Sequence, residues 1–92
     1  MSPTAASVAR SDSESAACFS VHAEAAPGVM PRVLELFAQR GLVPTSWISR
    51  VVGRDLTIDV QMRGLDSDSA GNIARRLRQI VGVDLVLTSE KR

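Results

Sequence analysis

The sequence predicts an α+β fold, a ferredoxin-like βαββαβ plait whose four-stranded antiparallel sheet carries two helices on one face. Three observations predict it. Apolar and polar residues alternate in residues 17–24 and again in 56–62, apolar residues recur at helical spacing in two other segments, and glycine-bearing breaks separate these runs. Two helices that each link strands unable to be hairpin neighbours imply right-handed crossovers, which put both helices on the same side of the sheet. At 92 residues the chain has room for one hydrophobic core.

In strand one, Ala17, Phe19, Val21 and Ala23 alternate with Cys18, Ser20, His22 and Glu24, the period expected when one face is buried. Residues 1–16 before it are rich in Ser and Ala and lack apolar periodicity. They are read as a flexible tail outside a single domain of residues 17–92. Ala25-Ala26-Pro27-Gly28 breaks the alternation, and Met30, Val33, Leu34, Phe37 and Ala38 then predict a helix over 29–40 that Gly41 stops. Pro31 falls in the first turn, where an N–H has no intrahelical acceptor to lose. Residues 42–52 are rich in β-branched side chains and predict strand two, with Pro44 marking its first half as an edge or a bulge. Gly53-Arg54 turns the chain into strand three, where Leu56, Ile58, Val60 and Met62 share a face. Residues 64–68 supply turn and capping chemistry for a helix over 69–81, its stripe being Ile73, Leu77, Ile80 and Val81. Residues 83–88 after Gly82 predict the last strand, and residues 90–92 a solvated end.

Composition excludes several functions. Eleven Lys and Arg against ten Asp and Glu give a net charge of +1, without the concentrated positive stripe that nucleic-acid binding requires. A membrane is not an expected partner either, since the apolar runs fall far short of the roughly 18 residues that span one. The single cysteine, Cys18, permits no internal disulfide and no multi-cysteine metal site, which fits a cytoplasmic setting. No metal and no cofactor is expected. Cys18, His22 and Asp59 share the open face of the sheet. On one strand a thiol and an imidazole four residues apart lie about 13 Å from each other, so no catalysis is assigned to them. Arg75, Arg76 and Arg78 crowd the second helix and read as a solvated face, the alternative being contact with an acidic surface of a larger partner. A core with three aromatic residues, Phe19, Phe37 and Trp47, in so short a chain makes self-association an expectation.

The plait hosts many unrelated functions, so motifs must decide between them. Copper-carrying plaits need a Cys-x-x-Cys pair where this chain has Ala25-Ala26-Pro27-Gly28. RNA-binding plaits need aromatic platforms where it has Cys18, Ser20, His22, Thr57, Asp59 and Gln61. Acylphosphatase-like plaits need an arginine in the loop after strand one, and the first one here is Arg32, inside the helix. What does match is the run from Phe19 to Gly41, with Pro27-Gly28-Val29 at the helix start and Phe37-x-x-Arg40-Gly41 at its end. It resembles the ACT domain, within that family the small regulatory subunit of acetohydroxyacid synthase, over about residues 19–88.

The resemblance implies a regulatory module without catalytic residues, a homodimer, a large catalytic synthase subunit as partner in branched-chain amino-acid synthesis, and an amino-acid ligand. The alternative is a stand-alone amino-acid-sensing protein. The ligand site it implies is Ala25, Pro27, Gly28, Val29 and Met30 of one chain against Leu42 and Val43 of another, with Val43, Thr45 and Trp47 at the interface. A helix N-terminus with free N–H groups is suited to a ligand carboxylate. This chain has Ala25 and Val43 where amino-acid-binding relatives carry polar side chains.

Overall fold

In the computed structural model, which describes residues 15–91, the elements follow the predicted order. They are β1 (Ala16–Glu24), α1 (Val29–Gln39), β2 (Ser46–Val52), β3 (Asp55–Arg63), α2 (Ser67–Leu77) and β4 (Val83–Lys91). The sheet order is β2-β3-β1-β4 with every neighbouring pair antiparallel. Of the segment read as a tail, residues 1–14 lie outside the described residues, as does Arg92. Ala16 opens β1, and the Ser15 carbonyl accepts from the Gly64 N–H at 3.3 Å.

The core lies between one sheet face and both helices. Ala17, Phe19, Val21 and Ala23 of β1, with Leu56, Ile58, Val60 and Met62 of β3 and Val86 of β4, meet Val29, Val33 and Phe37 of α1. From α2, Ala70, Ile73, Ala74 and Leu77 complete the cluster. The Phe19 and Phe37 rings lie 5.8 Å apart at a 59° tilt, an arrangement that adds about 0.5 to 1.5 kcal/mol to simple burial.

The buried stripe of α1 and several element boundaries differ from the expectation, for physical reasons. In α1 the buried stripe is Val29, Val33 and Phe37, whereas Leu34 and Ala38 are exposed. At about 100° per residue, Leu34 is rotated away from Val33, and Ala38 turns further still. The helix ends in a Schellman motif: Gly41, at φ +69°, donates to the Ala38 carbonyl at 2.9 Å and Leu42 donates to the Phe37 carbonyl at 3.0 Å. That bond explains why β2 starts at Ser46 and not at residue 42. The Leu42 N–H is spent on the helix and Pro44 has none, so Thr45 is the first to donate to β3, at 2.9 Å to the Gln61 carbonyl.

Helix α2 starts at Ser67 because the Asp66 carboxylate accepts from the Ser69 N–H at 2.7 Å and caps it. It ends at Leu77, where bonds from Gln79 to Arg76 and from Ile80 to Leu77 tighten the chain, leaving Val81 84% exposed. Strand β4 runs on to Lys91 because β1 starts at Ala16 and each residue of its start needs a ladder partner. Cys18 pairs with Ser89, Ala17 with Glu90 and Ala16 with Lys91.

Candidate functional site

The loop after β1 is held on both sides. Glu24 donates its N–H to the Gly82 carbonyl and Ala25 donates to the Arg54 carbonyl, both at 2.9 Å, while Val29 donates to Ala26 at 3.2 Å. Gly82 adopts φ +96°, and a Cβ there would lie 3.1 Å from Val29 Cγ2 and 3.4 Å from Glu24 Cγ. Both the backbone conformation and the close approach therefore require glycine. The result fixes where helix α1 begins.

The expected ligand residues divide by orientation. Ala25 and Pro27 are exposed, Gly28 is half-buried, and Met30 is partly buried against the core. Val29 turns its side chain fully inward, so only its backbone faces the loop. Gly28 forms the N-cap at φ −83° without a side-chain cap, so handedness does not demand glycine there. Its missing side chain instead leaves room at the first turn, where N–H groups such as that of Met30 have no intrahelical partner.

One residue of this corner was not among the expected ligand residues. Arg32 donates from Nη1 to the Gly28 carbonyl at 3.1 Å, and a Cβ on Gly28 would collide with that same Nη1. The signal was present in the sequence: a cation near a helix N-terminus opposes the helix dipole, and no acidic residue occupies the first turn to offset it. Together the first-turn N–H groups and the guanidinium form a positive, solvent-open corner able to receive a carboxylate.

The second expected segment lies elsewhere in the chain. Val43 is 81% exposed. Leu42 packs partly against the core, and the Thr45 N–H and hydroxyl both donate to the Gln61 carbonyl. Trp47 stands opposite Val60 and also packs partly against the core, which leaves only part of its ring for any interface. Ser46 pairs with Gln61, and Gln61 pairs with Cys18, whereas the loop leaves β1 at Glu24. The strand rise between Cys18 and Glu24 separates the two segments by about 20 Å. One chain cannot bring them together.

Among the described residues the sheet has two outer edges, β2 and β4. In β4 the Val86 carbonyl already accepts from Arg78 Nη2 at 2.9 Å. Strand β2 pairs only with β3 among the described residues, and Ile48, Val51 and Val52 are more than half exposed. Antiparallel pairing of two β2 strands sets the start of each beside the Val52 end of the other. That end leads into the turn whose Arg54 carbonyl holds Ala25.

On the open face, Ser20 and His22 Nε2 are hydrogen-bonded at 3.2 Å, and Cys18 and Asp59 face Gln61 and Ser20 across the ladder. Among the described residues no group of three His, Cys, Asp or Glu side chains is placed to hold a metal ion. No helix there is long and apolar enough to cross a membrane.

Residues 9–91 match the profile of the ACT-like domain, so the match reaches back into the segment read as a tail. Among solved structures, the ACT domain of GTP pyrophosphokinase from Chlorobium tepidum superposes with a TM-score of 0.72 at 14% identity, over 80% of this chain and 96% of that one. An uncharacterized protein from Thermotoga maritima gives 0.69 at 21% identity, over 86% of this chain and 100% of that one. The regulatory subunit of aspartate kinase from Thermus thermophilus gives 0.66 at 16% identity, over 85% of this chain and 52% of that one. At these identities the likeness is one of fold. No curated protein matches the chain.

Proposed function

The chain belongs to the ACT-like domain family, and from that premise we propose that it is a regulatory module which pairs with a second copy through β2 and modulates a partner enzyme. The observation that carries this reading is the separation of loop 25–30 from residues 42–43 within one chain, together with an open β2 edge through which a second copy would bring its own residues 42–43 toward that loop. An amino-acid ligand then lies between chains, its carboxylate at the first turn of α1 beside Arg32 and its apolar side chain against Leu42 and Val43 of the second copy. Binding in a seam couples ligand occupancy to pairing, which is how a module without chemistry of its own passes a signal on.

The finer reading makes it a small regulatory subunit of acetohydroxyacid synthase, with a large catalytic subunit as partner. Pro27-Gly28-Val29 and Phe37-x-x-Arg40-Gly41 support it, and the apolar Val43 suits a branched-chain ligand better than a polar one. The aspartate kinase regulatory subunit among the solved structures supports the broader statement that such a fold serves enzyme regulation. Ala25 offers no polar anchor for the ligand's ammonium group, so affinity falls on the backbone and Arg32.

Thermal denaturation against the twenty amino acids tests the reading, because a ligand that binds only the folded state raises the melting temperature with concentration. Stabilisation by valine, leucine or isoleucine, lost in Arg32→Ala, is expected. Recovery of a large synthase by affinity capture supports the enzyme-partner form, whereas an amino-acid shift without any partner favours the stand-alone sensor. No shift with any amino acid contradicts the ligand assignment.

A further inference from the structure

The three arginines of the second helix are all exposed, as a solvated face requires, but their surroundings differ. Arg78 is engaged by the Val86 carbonyl of β4, whereas Arg75 and Arg76 turn toward the C-terminal end of α1. There they line, with Arg40, a cleft of about 500 Å³, within the range of roughly 300 to 1,000 Å³ typical of small-molecule sites. Among the described residues no carboxylate lines it. Three arginines thus line it, with no counter-charge among the described lining residues, in a chain whose net charge is only +1. A cleft with apolar walls focuses that potential, and Leu42, Leu65 and Ile73 provide such walls.

The donors are also arranged for recognition. Ser69, Asn72, Arg76 and Gln79 follow one stripe of α2 and its extension, at spacings of three and four residues. Arg75 donates from Nη2 to Asn72 Oδ1, and Arg40 donates from Nη1 to the Leu36 carbonyl at 3.4 Å, so each has one contact on its own helix. Arg40, Arg76 and Gln79 also border an adjoining hollow of about 170 Å³, which lengthens the groove between the helices. Guanidinium forks match the paired oxygens of phosphoryl and carboxylate groups, and three of them exceed the need of a single carboxylate.

We propose that this interhelical cleft binds a small polyanion, a molecule carrying two or more negative charges on phosphoryl or carboxylate groups, held by Arg40, Arg75 and Arg76. The cleft lies a full helix length from the loop at the start of α1, although it shares Leu42 with the seam proposed above.

Isothermal titration of the full chain with inorganic pyrophosphate and with citrate tests it. Saturable binding of one or both is expected, weakened about tenfold or more by Arg76→Ala and weakened by added salt. Arg50→Ala, which removes an equal charge from β2, is expected to leave binding within about twofold, since a distant exposed charge is screened. Arg76→Lys keeps the charge but loses the fork, so an intermediate affinity is expected and serves if the alanine variant unfolds. Tighter pyrophosphate assigns a phosphoryl ligand and tighter citrate a polycarboxylate. Absence of binding by both probes, or equal loss in Arg76→Ala and Arg50→Ala, overturns the proposal.

Discussion

Asp66 shows how one side chain sets an element boundary. Its carboxylate accepts the Ser69 N–H, and this bond, with a further one from the Ser69 side chain, holds its pKa below the ordinary carboxylate value of 3.8. A carboxyl whose folded pKa is depressed contributes stability above its unfolded pKa and loses that contribution as pH falls through the folded value. The wild type is therefore expected to lose melting temperature on acidification below about pH 4 more steeply than Asp66→Asn, which keeps an acceptor but cannot titrate. Asp66→Ala should melt lower than both at neutral pH. Equal acid slopes for wild type and Asp66→Asn contradict this role. Gly82 gives a second prediction at the same scale. Gly53→Ala meets open space and is expected to cost only the left-handed backbone, about 1 to 2 kcal/mol. Gly82→Ala meets Val29 and Glu24 as well and should cost more in urea unfolding, the reverse order contradicting the packing described for the loop.

At the scale of elements, the order of strands and helices was legible because each segment has one dominant period. The alternation in β1 and β3 marks the core-facing residues, all of which are buried. What was not legible depends on bonds between elements. The Schellman bond from Leu42 to Phe37 removed residues 42–45 from β2, and ladder partners in β1 drew residues 89–91 into β4, neither of which alternation in one segment reveals. The backbone that carries the candidate site was legible to a similar depth. The loop 25–30 and its helix start stand where the reading put them, but Arg32 came forward only once its guanidinium was seen folded onto Gly28. The arginine cleft was hidden because Arg40 and Arg76 are far apart in sequence.

At the scale of the whole molecule, the account rests on what β2 does with its free edge. A core of this size leaves little stability to spare, and a strand whose outer edge has no partner among the described residues, with Ile48, Val51 and Val52 exposed, invites one. Full-length antiparallel pairing of two β2 strands about a twofold axis puts Ser49, the midpoint of Ser46–Val52, opposite its own copy. Like charges set directly opposite disfavour such a pair, and Ser49 is exposed, so Ser49→Asp should weaken pairing while sparing the fold. Sedimentation equilibrium of the wild type and of Ser49→Asp tests this most directly. The account predicts twice the 9.9 kDa chain mass for the wild type and a shift toward the single-chain mass for the variant. A wild type that stays at the single-chain mass, or a dimer indifferent to Ser49→Asp, would contradict it.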